Sequence, residues 1–163
     1  MHGYGWGRYD ISPIYSIPKI FNQLIDDIIS LHKGRKIDKV IAIDSVGFVL
    51  GTAVALKMNC GLILARKEGK IPLSKDMLIV KSFVDYTGRK KALEVNRSLI
   101  EKDSKYLIVD DWVETGAQAQ SIIDMIEEMG GFVVGISSVG SDRNSKTEKL
   151  FEKYNLKSIG INV

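Results

Sequence analysis

The residues best able to do chemistry form one run, Tyr106-Leu107-Ile108-Val109-Asp110-Asp111-Trp112-Val113-Glu114-Thr115-Gly116-Ala117. Its apolar start reads as a buried strand. The strand delivers two adjacent carboxylates at its end, and a short Thr-Gly loop then opens a helix. Backbone N–H groups at such a helix start, with the Thr115 hydroxyl, make a natural phosphate cradle. Gly116 lets the main chain approach an anion closely. Asp110 and Asp111 can accept hydrogen bonds from a sugar diol or hold a hydrated magnesium ion. An isolated Asp-Asp pair would more simply cap a strand and solvate a loop. With the bend and the helix behind it, the pair asks for a phosphorylated sugar.

These groups need a frame. Ser16 to Leu31 predicts an amphipathic helix, with Ile20, Phe21, Leu24, Ile25, Ile28, Ile29 and Leu31 on one stripe, Ser16 as cap and Pro18 in the first turn. Lys39 to Ile43 reads as a short buried strand running into the loop Asp44-Ser45-Val46-Gly47, followed by a helix from Phe48 to Asn59. Leu62–Ala65, Met77–Val84, Tyr106–Val109, Phe132–Val139 and Ser158–Val163 read as further strands. Ala92–Ile100 is compatible with strand or helix. Ala117–Met129 and Lys146–Tyr154 complete the helices, the former stopped by Gly130-Gly131. Strands alternating with helices predict an α/β fold with a mostly parallel sheet. Ligands of such sheets bind outside the carboxyl ends of the strands, which points to Asp44–Gly47 and Asp110–Gln118.

The composition excludes several classes. The chain has 163 residues, 45% hydrophobic and 26% charged, as expected of one soluble domain. Its apolar runs are too short to cross a bilayer, and the first ten residues lack a secretory apolar stretch. Lys and Arg exceed Asp and Glu by 23 to 20, and a net charge of +3 does not by itself call for nucleic acid. The single cysteine, Cys60, permits no internal disulfide and reads as a buried structural thiol in a reducing cytoplasm. His2 and His32 lack partners at metal spacing and are expected at the surface. Met125 and Met129 are expected in the core. Gly3-Tyr4-Gly5-Trp6-Gly7 reads as a tail, since no strand precedes it and no helix follows. Trp6, Tyr9 and Trp112 are candidate stacking surfaces or ordinary packing.

The run from Tyr106 to Ala117 resembles the 5-phosphoribosyl 1-pyrophosphate signature of the type I phosphoribosyltransferases. Further segments resemble the adenine branch of that family and occur in the same order. Arg8-Tyr9-Asp10-Ile11-Ser12-Pro13-Ile14 is similar to its Phe-Arg-Asp-Ile-Thr/Ser-Pro segment, and Ile43-Asp44-Ser45-Val46-Gly47-Phe48 to its Glu-Ala-Arg-Gly-Phe loop. Ala65-Arg66-Lys67-Glu68-Gly69-Lys70-Ile71-Pro72 is similar to Arg-Lys-x-Gly-Lys-Leu-Pro, and Ala92-Leu93-Glu94-Val95-Asn96 to Leu-Glu-Met-His. The resemblance implies one domain over residues 1–163, with a small N-terminal hood over 1–35 and a flexible lid near 74–91. It implies a magnesium-dependent enzyme, a cytoplasmic homodimer, that joins a purine such as adenine to 5-phosphoribosyl 1-pyrophosphate and releases pyrophosphate.

Carried over, Asp110 and Asp111 would meet the ribose hydroxyls directly or through Mg2+, and Thr115, Gly116, Ala117 and Gln118 would hold the 5-phosphate. Asp44, Ser45, Val46 and Gly47 would face the pyrophosphate. Arg66, Lys67 and Lys70 would neutralise that leaving group, from the same or a neighbouring subunit, and Glu94 would lie near the reacting centre. Two departures have chemical consequences. Glu114 stands beside the phosphate cradle and is expected to face a cation or the base. Val46 stands where the adenine branch carries Arg, so one leaving-group cation is missing, with Arg66 or Lys67 expected to compensate. A non-enzymatic sensor or regulator that binds phosphoribosyl pyrophosphate or a nucleotide on the same fold is the alternative, and it would bind the ligand yet release no pyrophosphate.

Overall fold

The computed structural model describes residues 10–85 and 87–160. The chain enters through α1 (Ser12–Tyr15) and α2 (Pro18–Ser30), then forms β1 (Lys39–Ile43), α3 (Gly47–Met58) and β2 (Gly61–Lys67). An antiparallel hairpin follows, β3 (Leu78–Val84) with β4 (Lys90–Asn96), then β5 (Lys105–Val109) and the short β6 (Trp112–Val113). The remainder is α4 (Ala117–Glu128), β7 (Phe132–Ser138), β8 (Gly140–Ser141), α5 (Glu148–Tyr154) and β9 (Leu156–Ser158).

The main sheet has seven strands in the order β3-β4-β2-β1-β5-β7-β9. Strands β2, β1, β5, β7 and β9 pair in parallel, and within this sheet only β4 runs against them, antiparallel to both β2 and β3. Central strands covered on both faces must be apolar throughout. Val40 to Ile43 and Tyr106 to Val109 accordingly have no exposed surface. Alternation then sorts the side chains. Val40, Leu107 and Val109 meet Leu24, Ile25, Ile28, Leu50 and Val54 of α2 and α3. Ile41, Ile43, Tyr106 and Ile108 meet Ile122, Ile123 and Ile126 of α4 on the other face. Because Ala42 sits opposite Val109, the chain leaves β1 at Asp44 beside the point where it leaves β5 at Asp110. Two loops far apart in sequence thereby share one edge.

Several expectations shift. The α2 helix starts at Pro18 with Ile17 as its N-cap, while the Ser16 hydroxyl donates to the Pro13 carbonyl at 2.8 Å and closes α1 instead. The open segment 92–100 resolves into β4 plus a single 3-10 turn, Arg97–Leu99, because its residues pair with both β2 and β3. Among the described residues the last strand is Leu156–Ser158, which begins before the expected Ser158, since Asn155 (φ 50°) ends α5 and turns the chain directly into the sheet. Residues 161–163 lie outside the described residues, as do His2, the Gly-rich start, Arg8, Trp6 and Tyr9. Met125 is fully buried and Met129 packs against the same core. Cys60 is half-buried, and burial raises its thiol pKa, which keeps it a poor nucleophile.

His32 is the clearest reversal: it is buried, not at the surface, and its ring lies where a side chain at Gly135 would have to go. Neither ring nitrogen has a hydrogen-bond partner among the described residues. Burial first, then the nearby Lys157 and Arg35 charges, push its pKa down to about 4. The unfolded chain therefore binds a proton below pH 6.5 that the native state refuses, so stability should fall as pH drops from about 6.5 toward 4. The loss should reach up to ~3 kcal/mol. Urea melts from pH 7.5 to 4.5 should show this slope, and a His32→Leu variant should lose that share of it.

Candidate active site

At the carboxyl edge of β1 and β5 two adjoining cavities open. The first, about 370 Å3, is lined by Asp110, Glu114, Thr115, Gly116, Ala117 and Gln118 together with Phe83, Asp85 and Trp112. The second, about 790 Å3 and open to solvent, is lined by Asp44, Ser45, Val46, Lys67, Phe83, Asp85, Lys91, Leu93, Asp110, Asp111 and Gln118.

Asp110 is anchored where it joins both cavities. Its amide donates to the Ser137 carbonyl at 3.0 Å, and its Oδ1 accepts the Asp111 amide at 2.9 Å. The Asp111 carbonyl in turn accepts from the amides of Val139 and Gly140. The tandem acids are thus pinned to β7 through their backbone, with both side chains at the cleft. Gly47 makes this closeness possible, since a Cβ there would lie 3.0 Å from both the Asp110 Oδ1 and the Val109 carbonyl. The Asp44–Ser45 peptide is cis.

The cradle is built around Gly116, which caps α4 with φ +72°, a conformation that favours glycine. The first amides of a helix have no intrahelical acceptor, so those of Gln118 and Ala119 are available to an anion, while the Ala117 amide donates to the Thr115 hydroxyl oxygen at 3.4 Å. The bend is buttressed from a segment that carries no motif of its own. Asn144 Nδ2 donates to the Glu114 carbonyl at 3.0 Å, and the Thr147 hydroxyl donates to the Asp142 carbonyl at 2.6 Å. The Trp112 indole N–H donates to Asp142, and its ring packs on Gly140. Trp112 therefore serves as packing for the loop and not as a free stacking face.

The strand register divides the expected cations. Lys67 pairs with Leu93, Arg66 with Glu94. Neighbouring residues of a strand point to opposite faces, and Lys67 and Leu93 line the cleft. Arg66 and Glu94 consequently face the other way. Lys67 Nζ lies 3.4 Å from Asp44 Oδ1. Arg66 lies in an apolar groove with Leu64, Ile71, Pro72 and Leu99, where it donates to the Lys70 carbonyl at 2.8 Å. Lys70 is exposed on the same turn, away from this cleft.

Glu94 requires a correction for the same reason. It is 2% exposed, and its carboxylate accepts the amides of Gly69, Lys70 and Ile71 at 2.9, 2.7 and 2.6 Å. Burial alone would raise its pKa, but those amides and the Arg66 guanidinium hold it below the ordinary value. It is a latch on the 68–71 turn, and it does not line the cleft.

Asp85, Lys91 and Phe83 are cleft residues that the sequence did not mark singly. Their signal was present only as strand alternation in 78–84 and 90–96. The expected lid segment, 74–91, comprises a 3-10 turn (Lys75–Met77), β3, the connection to β4 and the first two residues of β4. The Asp85 carboxyl is held well below the usual carboxylate range, first by the Lys91 ammonium at 2.6 Å and then by Thr87.

Comparison with known proteins finds relatives over most of the chain. A model of the phosphoribosyl transferase domain matches residues 10–163. An adenine phosphoribosyltransferase of Clostridium botulinum (strain Hall) is 33% identical over 150 residues, 92% of this chain and 85% of its own length. The crystal structure of adenine phosphoribosyltransferase from Thermoanaerobacter pseudethanolicus superposes with a TM-score of 0.86 at 26% identity, covering 95% of this chain and 88% of that one. The Giardia lamblia APRTase complexed with 9-deazaadenine gives 0.84 at 26% identity, over 94% and 86%. The mostly parallel sheet flanked by helices is thus the fold of this group.

Proposed function

The chain belongs to the phosphoribosyltransferase family, and from that premise we propose that it joins adenine to 5-phosphoribosyl 1-pyrophosphate, yielding the nucleoside 5-monophosphate and pyrophosphate. The observation that carries this reading is the placement of Asp110 and Asp111 between the α4 cradle and the Asp44–Gly47 loop, in two joined cavities. The cradle suits the 5-phosphate, the acids suit the ribose, and the larger cavity, with Lys67 at its wall, suits the pyrophosphate.

In this reaction the base nitrogen forms a bond to the anomeric carbon as the bond to the pyrophosphate oxygen breaks. The electron pair leaves with pyrophosphate, whose oxygens take up the N–H proton that the base loses. Positive charge develops on the ribose, where fixed carboxylates stabilise it more than they stabilise the ground state. Lys67 would balance charge gathering on the departing phosphates. The β3–β4 hairpin, through Phe83, would cover the cleft and limit hydrolysis of the activated sugar.

Asp110 and Asp111 fit magnesium as a companion of the substrate. No group of three or more His, Cys, Asp or Glu able to hold a metal ion occurs among the described residues. Magnesium commonly binds through one or two carboxylates plus phosphate oxygens and water. When bound, it would neutralise pyrophosphate charge, with Asp110 and Asp111 holding it directly or through its waters.

Arg66 and Lys70 lie on the side away from this cleft, so they would reach a leaving group only in a homodimer, at the neighbouring subunit's site. No helix among the described residues is long and apolar enough to cross a membrane. The lone thiol of Cys60 suits a reducing cytoplasm.

Turnover tests the proposal. Pyrophosphate release should require magnesium, 5-phosphoribosyl 1-pyrophosphate and adenine together, and a panel of other bases should give less. Tight binding of the sugar phosphate without release for any base would favour a sensor instead. Thr115→Ala should weaken ribose 5-phosphate binding by about 1.5–3 kcal/mol, the contribution of a hydrogen bond to a charged group. An unchanged calorimetric isotherm would remove Thr115 from the site.

A further inference from the structure

Pyrophosphate carries several negative charges, yet the larger cavity is lined by four carboxylates, Asp44, Asp85, Asp110 and Asp111. Only two cations line it, Lys67 and Lys91, and Lys67 is engaged by Asp44. Val46, in the loop facing that space, adds no charge, and Arg66 points to the opposite face. Lys91 faces the cleft because of strand geometry. It lies two residues before Leu93 on β4 and opposite Phe83 on β3, and both of those residues line the cavity.

The partner of Lys91 is built to hold it. Asp85 Oδ1 accepts the Thr87 amide at 2.9 Å, the Thr87 hydroxyl at 2.6 Å and the Arg89 amide at 3.0 Å. These bonds orient the other oxygen toward the Lys91 ammonium, 2.6 Å away. The Asp85 side chain is only 7% exposed and that of Lys91 is 49% exposed. The acid is therefore the fixed element, and the lysine, on a flexible stem, can change partners.

Resting on the transferase reading, we propose that Lys91 is the second pyrophosphate-binding cation of the cleft, supplying the charge that Val46 does not, and that Asp85 aims it there. When phosphate oxygens enter, the ammonium moves from a single carboxylate toward them. Lys91 lines the larger cavity and not the α4 cradle, so its contribution should be confined to pyrophosphate.

Titration calorimetry separates the two halves of the site, with magnesium pyrophosphate as one probe and ribose 5-phosphate as the other. Lys91→Gln should weaken pyrophosphate about ten- to a hundredfold, the span of a charge-assisted hydrogen bond. It should leave ribose 5-phosphate unchanged. Lys91→Arg should keep most of the affinity, and adding Val46→Arg to Lys91→Gln should restore part of it. Wild-type pyrophosphate affinity in Lys91→Gln would overturn the proposal. So would an equal loss of both probes, because that would assign Lys91 to the fold. Wild-type protein that binds neither probe would sink the transferase reading itself, whereas a wild type that turns over beside an unaffected Lys91→Gln sinks only the inference.

Discussion

Asp110→Asn should lower kcat/KM for 5-phosphoribosyl 1-pyrophosphate about a hundredfold or more while the protein stays folded. The reason lies in what asparagine can and cannot copy. Its carbonyl oxygen can still accept the Asp111 amide, which Asp110 Oδ1 now accepts at 2.9 Å, so the backbone link to β7 survives. The NH2 group, however, puts a donor where, on the proposed reading, the carboxylate accepts from ribose hydroxyls. It also removes a charge from a group only 5% exposed, which the proposed reading sets beside the carbon that becomes cationic. A hundredfold loss corresponds to ~2.7 kcal/mol of transition-state stabilisation. Steady-state kinetics read it, and a thermal melt close to wild type shows that the fold is intact. Wild-type turnover in this variant would remove Asp110 from the chemistry.

Gly116→Ala should damage both the site and the fold. The residue has φ +72°, which costs a non-glycine residue roughly 1–2 kcal/mol. The added Cβ would also lie 2.6 Å from Leu150 Cδ1. Leu150 is 2% exposed, so it has little room to yield. Overpacking of this kind costs about 1–3 kcal/mol. Together these terms predict a melting temperature lower by on the order of 10 °C. Because the displaced backbone carries the cradle amides, ribose 5-phosphate affinity should fall with it. A melt within a degree of wild type would show that the α4 entrance accommodates a side chain.

Much of this was legible in the residues because the central strands leave little choice. Val40–Ile43 and Tyr106–Val109 are too apolar and too short for anything but buried strands, and parallel pairing brings the acids after each to one edge. The tandem acids and the Thr-Gly bend could be placed for that reason. What escaped depended on pairing across long separations. Arg66 and Lys67 look equivalent in a string of cations, and only the register against Glu94 and Leu93 shows that one faces the cleft and the other leaves it. Glu94 resembled a catalytic acid until the amides of residues 69–71 appeared around its carboxylate. His32 carries no local mark of burial, because what covers it is Gly135, about a hundred residues away. Asn144 and Asp142 act on the cradle from a loop 30 residues further along the chain.

The most direct measurement is the crystal structure of the protein soaked with 5-phosphoribosyl 1-pyrophosphate and magnesium. The account requires the 5-phosphate against the amides of residues 115–118, the ribose hydroxyls against Asp110 and Asp111, and the pyrophosphate between Val46, Lys67 and Lys91. Sugar phosphate bound elsewhere, or an open cleft without density at saturating ligand, would contradict it.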